Sequence, residues 1–101
     1  MKVVLTRQAR EEIAAIGDYI ARDSPERARA FVRELRARIM RLGRRSRLFA
    51  VVPRYAEAGI RRLPHGNYLV FYRIVAAEVV VIHVIHGARD YDAILFPEQP
   101  E

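Results

Sequence analysis

The sequence predicts a single α+β domain in the order β-α-α-β-β-β, with a helical hairpin packed on an antiparallel-rich sheet. Two stretches with helical apolar periodicity follow each other with only a residue or two between them, and three strand-like segments with short connections come after them. Apolar residues make up 51% of the 101 residues, which is enough for one thin core. We expect one domain over residues 1–96 and a short tail over residues 97–101.

The N-terminal segment predicts a short strand over residues 2–5 and a helix over residues 7–22. Thr6 stands between them as a candidate N-cap, because its hydroxyl can accept a free N–H of the first helical turn. The apolar positions of this helix recur every three or four residues, at Ala9, Ile13, Ile16 and Ile20. Gly17 costs about 1 kcal/mol relative to Ala in a helix, which favours a close approach by another element at that position.

A second helix is predicted to begin at Ser24-Pro25, with Ser24 as N-cap and Pro25 at the first helical position. Gly43 is the candidate left-handed terminator. The apolar stripe of this helix consists of Ala28, Phe31, Val32, Leu35, Ile39 and Leu42. Because the link between the two helices is so short, they should form an antiparallel hairpin.

Arginines cover the other face of the second helix and continue beyond it. They are Arg27, Arg29, Arg33, Arg36, Arg38, Arg41, Arg44, Arg45 and Arg47. Such a run is typical of a solvated helix face and equally of a surface that binds an anionic partner, and the sequence leaves both interpretations open.

The second half of the chain predicts a loop followed by an antiparallel meander. Residues 44–58 lack a period and contain Pro53, so we expect a loop with a brief apolar contact through residues 49–52. Strands are predicted over residues 60–63, 68–75 and 79–86. The middle strand carries apolar residues on both faces, so it should be central and covered on both sides, with helices on only one of them. Residues 88–96 favour a final helical turn.

Composition restricts the function classes. The formal charge of +6 and the pI near 10.5 indicate attraction to nucleic acid, an anionic membrane or an acidic protein. All the basic residues except Lys2 are Arg, which pairs bidentately with carboxylate or phosphate, although an Arg-rich genome would give the same bias. The chain has no cysteine, no long apolar span and no signal-peptide core, so we expect a cytoplasmic protein without disulfides or a membrane segment.

Neither a metal site nor a cofactor is expected. His83 and His86 are an odd number of residues apart on one predicted strand, so they should point to opposite faces. His65 lies in a turn, and no Glu or Asp stands at a helical offset from a histidine in the manner of a zinc-binding helix. The five glycines are scattered, so no phosphate-binding loop is present.

Polar side chains concentrate near the strand ends and form the candidate site. This set contains Arg61, Arg62, His65, Tyr68, Tyr72, Arg73, His86, Arg89, Asp90 and Tyr91. Arginine can stabilise a developing phosphorane and histidine can transfer protons, so a metal-independent ribonuclease is chemically conceivable. The alternative is structural: Tyr68 and Tyr72 face the core, and Arg89 pairs with Asp90 or Asp92.

Two segments resemble the ParE branch of the RelE/ParE toxin superfamily. Residues 59–74, GIRRLPHGNYLVFYRI, resemble its sheet signature, and residues 86–95, HGARDYDAIL, resemble its C-terminal signature. The N-terminal half is similar in outline through Ala9, the Asp18-Tyr19-Ile20 run, the Ser24-Pro25 break and Phe31.

The resemblance implies a RelE/ParE-like fold and the toxin role in a type II toxin–antitoxin system. The partners it implies are a cognate acidic ParD-like antitoxin, in a hetero-oligomer, and DNA gyrase as target. Candidate antitoxin contacts are Ile16, Phe31, Arg33, Leu35 and Arg36. Candidate target contacts are Arg61, Arg62, His65, Arg73, His86, Arg89 and Tyr91.

One position separates the two branches of the superfamily. RelE-type toxins are ribosome-dependent mRNA endoribonucleases and carry a catalytic Arg directly after the Tyr that matches Tyr68, whereas this chain has Leu69. The resemblance therefore favours a gyrase inhibitor without catalytic residues, with the endoribonuclease as the alternative.

Overall fold

The computed structural model describes residues 1–96, and the tail predicted for residues 97–101 lies outside the described residues. Its elements are β1 (Lys2–Leu5), α1 (Arg7–Ala21), α2 (Pro25–Arg41), a 3₁₀ helix (Pro53–Ala58), β2 (Arg61–His65), β3 (Tyr68–Val75), β4 (Glu78–His86) and α3 (Tyr91–Leu95). The α+β class and the β-α-α-β-β-β order are confirmed. The final helical turn predicted within residues 88–96 is α3, and the 3₁₀ helix is additional.

The four strands form one sheet in the order β1-β4-β3-β2. The predicted meander is confirmed, since β3 pairs antiparallel with both β2 and β4, while β1 runs parallel to β4. The β3–β4 turn places Ala76 and Ala77 at φ 49° and 62°, a left-handed conformation that matches the twist of a tight hairpin.

Local signals start both long helices where the sequence predicts. The Thr6 hydroxyl accepts the Ala9 N–H at 3.1 Å, and the Ser24 hydroxyl accepts the Arg27 N–H at 3.2 Å. The close approach predicted at Gly17 is also confirmed, because a Cβ there would lie 3.2 Å from Val32 Cγ2 on α2. Gly17 therefore lets the two helices of the hairpin pack tightly.

The role predicted for Gly43 is wrong. Its φ is not in the left-handed region, and a Cβ there would lie 2.5 Å from the Met1 carbonyl oxygen. The Met1 ammonium donates to the Gly43 carbonyl at 2.7 Å, so this glycine makes room for the N-terminus.

The core has two layers, one on each face of the sheet. Between the hairpin and the sheet, the fully buried residues include Ile13, Leu35, Ile39, Val70 and Tyr72. On the far face, Phe71 and Ile85 pack with Tyr55 of the 3₁₀ helix and with α3. The loop assignment of residues 44–58 therefore missed a 3₁₀ helix, and helical turns cover both faces of the sheet rather than one.

Glu12 joins α1 to the part of β4 that β1 does not reach. The β1–β4 register ends at the pair Leu5 and Val81. Beyond it, the Glu12 carboxylate accepts the Val84 N–H at 2.8 Å and lies 2.9 Å from His83 Nδ1. A half-buried carboxylate thus replaces the missing strand contacts and fixes the helix on the sheet.

Candidate functional site

The sheet divides the predicted target-binding residues between its two faces. His65 and His86 are both opposite Tyr68 in the strand register, on the face that the hairpin covers. Arg62 is opposite Phe71 in the register of β2 and β3, and Arg73 comes two residues after Phe71 on β3. Both of these exposed arginines therefore lie on the same face as Phe71, which is the far face of the sheet. The predicted residues therefore do not form one site.

On the hairpin face, four rings form a contiguous aromatic row: Phe31, His65, Tyr68 and His86. The Phe31 ring meets the rings of His65 and Tyr68 edge-on, with centroids 5.1 and 5.6 Å apart. The ring of His86 meets Tyr68 in the same way at 5.3 Å. All four side chains are half-buried, so the aromatic row is partly accessible at the surface.

Both histidines of the aromatic row use Nδ1 as an acceptor. Arg38 Nη1 donates to His65 Nδ1 at 3.1 Å, and the Ala88 N–H donates to His86 Nδ1 at 3.0 Å. Burial, and then the charge of Arg38, lower the pKa of His65 from its ordinary value. In this arrangement the proton of each neutral ring lies on Nε2, so neither ring keeps a lone pair free to act as a base.

Arg89 stands at the end of the aromatic row and is exposed. A shallow depression of about 180 Å³ brings it together with Tyr19, Tyr68 and His86. Burial, and secondarily Tyr19, raise the pKa of Tyr68, which therefore stays a neutral hydroxyl donor at neutral pH.

The pairing of Arg89 with Asp90 or Asp92 is not observed. Asp92 pairs instead with Arg54 at 2.8 Å, and Asp90 accepts the Ala93 N–H at 3.4 Å as the N-cap of α3. Arg89 belongs to none of the ion pairs formed within residues 1–96. Its guanidinium is therefore available to a partner.

Arg61 and Tyr72 fasten the segment that follows α2. Arg61 donates to the Phe49 carbonyl at 2.7 Å, and the buried Tyr72 hydroxyl donates to the Ser46 carbonyl at 2.9 Å. Burial raises the pKa of Tyr72, although the charge of Arg61 opposes this. The structural interpretation of Tyr72 is confirmed, and the Arg61 guanidinium is already engaged within the fold.

Tyr91 also contributes to packing. Its ring lies against Phe71 with centroids 5.3 Å apart and belongs to the far-face core. Of the residues predicted to contact the target, Arg62, Arg73 and Arg89 are exposed, whereas the others are half-buried.

A second surface is the groove between α1 and α2 on the outer side of the hairpin, here called the hairpin groove. It encloses about 610 Å³ over small and aliphatic side chains, mainly Gly17, Ala21, Ala28 and Val32. Arg29, Arg33 and Arg36 also line it, together with Asp18 and Pro25. An apolar floor with a basic rim suits an amphipathic, acidic helix.

The hairpin groove does not use the apolar anchors expected from the sequence. Leu35 is completely buried and Ile16 is 7% exposed, so both belong to the core, and Phe31 lies in the aromatic row. The expected Arg33 and Arg36 do lie along it. Its floor was missed because small residues give a weak periodicity signal, although Gly17 and Ala21 lie one turn apart on one helix.

The described residues offer no other obvious chemistry. Within residues 1–96, no three His, Asp or Glu side chains come close enough to hold a metal ion. No helix in that part of the chain is long and apolar enough to cross a membrane.

The comparisons with known proteins place this chain in a family. A family model described as the ParE toxin of type II toxin-antitoxin system, parDE, matches residues 3–91. The fold and this match define the class as the toxins of type II toxin–antitoxin systems. Within that class, the chain belongs to the ParE toxin family.

A solved structure gives independent support for the fold. A chain from a structure titled "Chromosomal ParDE TA system from P. aeruginosa" superposes with a TM-score of 0.71 at 22% sequence identity, covering 85% of this chain and 95% of that one. A comparison with curated protein sequences finds no match.

Proposed function

We propose that this chain arrests growth by binding DNA gyrase, without chemistry of its own, and that a cognate acidic ParD-like antitoxin neutralises it. Membership of the ParE toxin family over residues 3–91 carries the proposal. Because gyrase acts on the chromosome, the toxin would work in the cytoplasm.

The residues near Tyr68 support an inhibitor over a nuclease. Leu69, which stands where RelE-type toxins have a catalytic Arg, packs against the far-face core. His65 and His86 already accept hydrogen bonds through Nδ1. A ribonuclease needs a free base as well as a cation for the phosphorane. Arg89 borders this region and could supply the cation, but neither histidine keeps a lone pair free to act as the base.

An induced-expression experiment separates the two targets. Growth arrest is expected without early cleavage of ribosome-bound mRNA, as measured by mapping transcript 5′ ends within minutes of induction. If mRNA were cleaved within translated codons before plasmid supercoiling changed, gyrase would not be the primary target and the endoribonuclease alternative would be supported.

The hairpin groove is the proposed binding site for a helix of the antitoxin. Its apolar floor supplies area to bury, while Arg29, Arg33 and Arg36 match an acidic partner and raise the association rate. This arrangement gives three of the arginines of α2 a role in binding.

An extended antitoxin segment would add to the sheet at β1. The other edge strand, β2, is already blocked, because Val51 bridges to Arg61 and Arg38 donates to the carbonyl of Pro64 at 2.7 Å. Pro64 itself has no N–H to offer. Within residues 1–96, β1 has no strand on its outer side.

Charge reversal tests the hairpin groove. The Arg33→Glu/Arg36→Glu variant should bind the purified antitoxin with an association rate at least tenfold lower and with a weaker salt dependence, measured by stopped-flow or surface plasmon resonance. The matched control, Arg62→Glu/Arg73→Glu, makes the same charge change on the far face of the sheet. If both variants lowered the association rate equally, the effect would come from net charge and not from the hairpin groove.

A further inference from the structure

A third surface lies where α2 ends and is distinct from the hairpin groove and from the depression beside Arg89. It is a cleft of about 540 Å³ bordered by Arg38, Arg41, Arg44 and Arg45, here called the arginine cleft. Among residues 1–96, no acidic side chain lines it. None of these four arginines takes part in the ion pairs formed within residues 1–96.

The arginine cleft has a fixed shape. Its outer wall is the segment after α2, which three hydrogen bonds fasten: Gly43 accepts the Met1 ammonium at 2.7 Å, Ser46 accepts the Tyr72 hydroxyl at 2.9 Å, and Phe49 accepts Arg61 at 2.7 Å. These contacts hold the backbone of Arg44 and Arg45 in place beside α2. The backbone that carries these arginines is therefore in place before a ligand binds, and only their exposed side chains have to be ordered.

The segment after α2 also gives the cleft apolar side chains. They are Leu48, which is 62% exposed, and the half-buried Phe49. The clustered arginines repel one another and therefore attract anionic groups, and the apolar side chains beside them favour flat apolar groups. A matching ligand carries both kinds of group in alternation. A nucleic-acid strand has that chemistry, since its phosphates pair with guanidinium groups while unpaired bases pack on apolar and aromatic side chains.

The arginine cleft also continues into the aromatic row. Arg38 lines the cleft and at the same time contacts His65 at 3.1 Å, the first histidine of the row. A strand whose phosphates follow the arginines thus meets the rings of Phe31, His65 and Tyr68 next. Partly accessible rings offer surface on which unpaired bases stack, and this favours a nucleic-acid strand over an acidic peptide.

The geometry points to a binding site for single-stranded nucleic acid, with phosphates held by Arg41, Arg44 and Arg45 and bases placed on the apolar side chains of the arginine cleft. This site goes beyond the proposed inhibition of gyrase and does not depend on it. It gives the toxin a direct contact with a nucleic-acid strand in the absence of any protein partner.

Fluorescence anisotropy with a labelled dT20 oligonucleotide and the purified chain tests the site. The Arg41→Gln/Arg44→Gln/Arg45→Gln variant should bind at least tenfold more weakly at about 100 mM salt. Its slope of log K against log salt should be shallower by about two, because each lost phosphate contact removes about 0.7 on a single strand. All three side chains are exposed, so the fold should be retained, as circular dichroism would verify.

Two controls make the result specific. The Arg29→Gln/Arg62→Gln/Arg73→Gln variant removes the same charge from exposed positions elsewhere and should weaken binding less than threefold. Equal weakening by both variants would mean attraction by net charge and would overturn the site.

An abasic strand with the same number of phosphates tests the base contacts. It should bind at least tenfold more weakly than dT20, because stacked bases contribute to affinity in such sites. If the abasic strand, or poly-glutamate of equal charge, bound as tightly as dT20, the arginine cleft would be a general anion site and the assignment to nucleic acid would be wrong.

Discussion

At the scale of single residues, Arg89 is the side chain that most clearly combines exposure with a defined surrounding. It borders the depression next to Tyr68 and His86, and it takes part in no ion pair within the described part of the chain. Asp90, its neighbour, has a structural task as the N-cap of α3. Adjacent residues of the C-terminal signature thus serve different purposes.

Arg89→Ala should abolish growth arrest while leaving the free energy of unfolding within about 0.5 kcal/mol of the wild type. Growth curves after induction and urea denaturation measure the two quantities. Asp90→Ala serves as the contrasting variant. It should lower the free energy of unfolding by about 1 kcal/mol, because α3 loses its N-cap, and the protein that remains folded should still be toxic. A folded, stable and fully toxic Arg89→Ala protein would exclude Arg89 from the target surface.

His65 should make stability depend on pH. The pKa of His65 in the folded protein lies below its usual value of 6.5, so folding favours the neutral ring. The stability that this preference contributes is present above pH 6.5 and is lost as the pH falls through the folded pKa. We expect the stability of the wild type, relative to His65→Gln, to decrease between pH 7.5 and pH 5. Urea denaturation at both pH values measures the difference, and an unchanged or increasing relative stability would contradict the assigned cause.

At the scale of elements, the tight contact inside the helical hairpin sets the shape of the hairpin groove. Gly17 allows α1 to approach Val32 of α2, and the small residues beside it leave the groove open. The helix accepts an unfavourable glycine because close packing of the hairpin compensates for it.

Gly17→Leu should therefore destabilise the protein by about 1–3 kcal/mol, although it replaces a poor helix former by a good one. It should also weaken antitoxin binding, because the new side chain would fill the groove. Ala14→Leu is the matched control, since Ala14 is exposed on the same helix and should change stability by less than about 0.5 kcal/mol. Equal stability of the two variants would show that the helices are not tightly packed at Gly17.

Sequence patterns predicted the elements where the signal is local and regular. Thr6 and Ser24 start α1 and α2 through side-chain hydrogen bonds within the same turn, and β3 is a nearly continuous apolar run because both of its faces are covered. The 3₁₀ helix was missed because it is short and aperiodic, and it is stabilised by Tyr55 packing on the far-face core, which the sequence alone does not reveal.

The functional surfaces were harder to predict than the elements. Strand alternation could have placed Arg62 and Arg73 on one face of the sheet, and His65 and Tyr68 on the other. The hydrogen bonds that engage Arg61 and Arg38 could not be predicted in this way, because they join residues 12 and 26 positions apart. Such contacts depend on the tertiary fold. The arginines of α2 were identified from the sequence, whereas their division between the hairpin groove and the arginine cleft became visible only in the structure.

At the scale of the whole molecule, a thin sheet covered on both faces leaves several separate surfaces on one 101-residue chain. The hairpin groove is the proposed antitoxin seat, the depression beside Arg89 is the proposed target contact, and the arginine cleft carries the inferred nucleic-acid site. In this proposal the antitoxin and the target bind at separate places, so the antitoxin would neutralise the toxin by steric exclusion rather than by direct competition.

The most direct measurement of the central claim is a supercoiling assay with purified gyrase, relaxed plasmid and ATP, titrated with this chain. The proposed function predicts inhibition that saturates near stoichiometric toxin, is relieved by the cognate antitoxin and is lost with Arg89→Ala. Full supercoiling activity in the presence of a large excess of folded chain that still arrests growth in cells would contradict it.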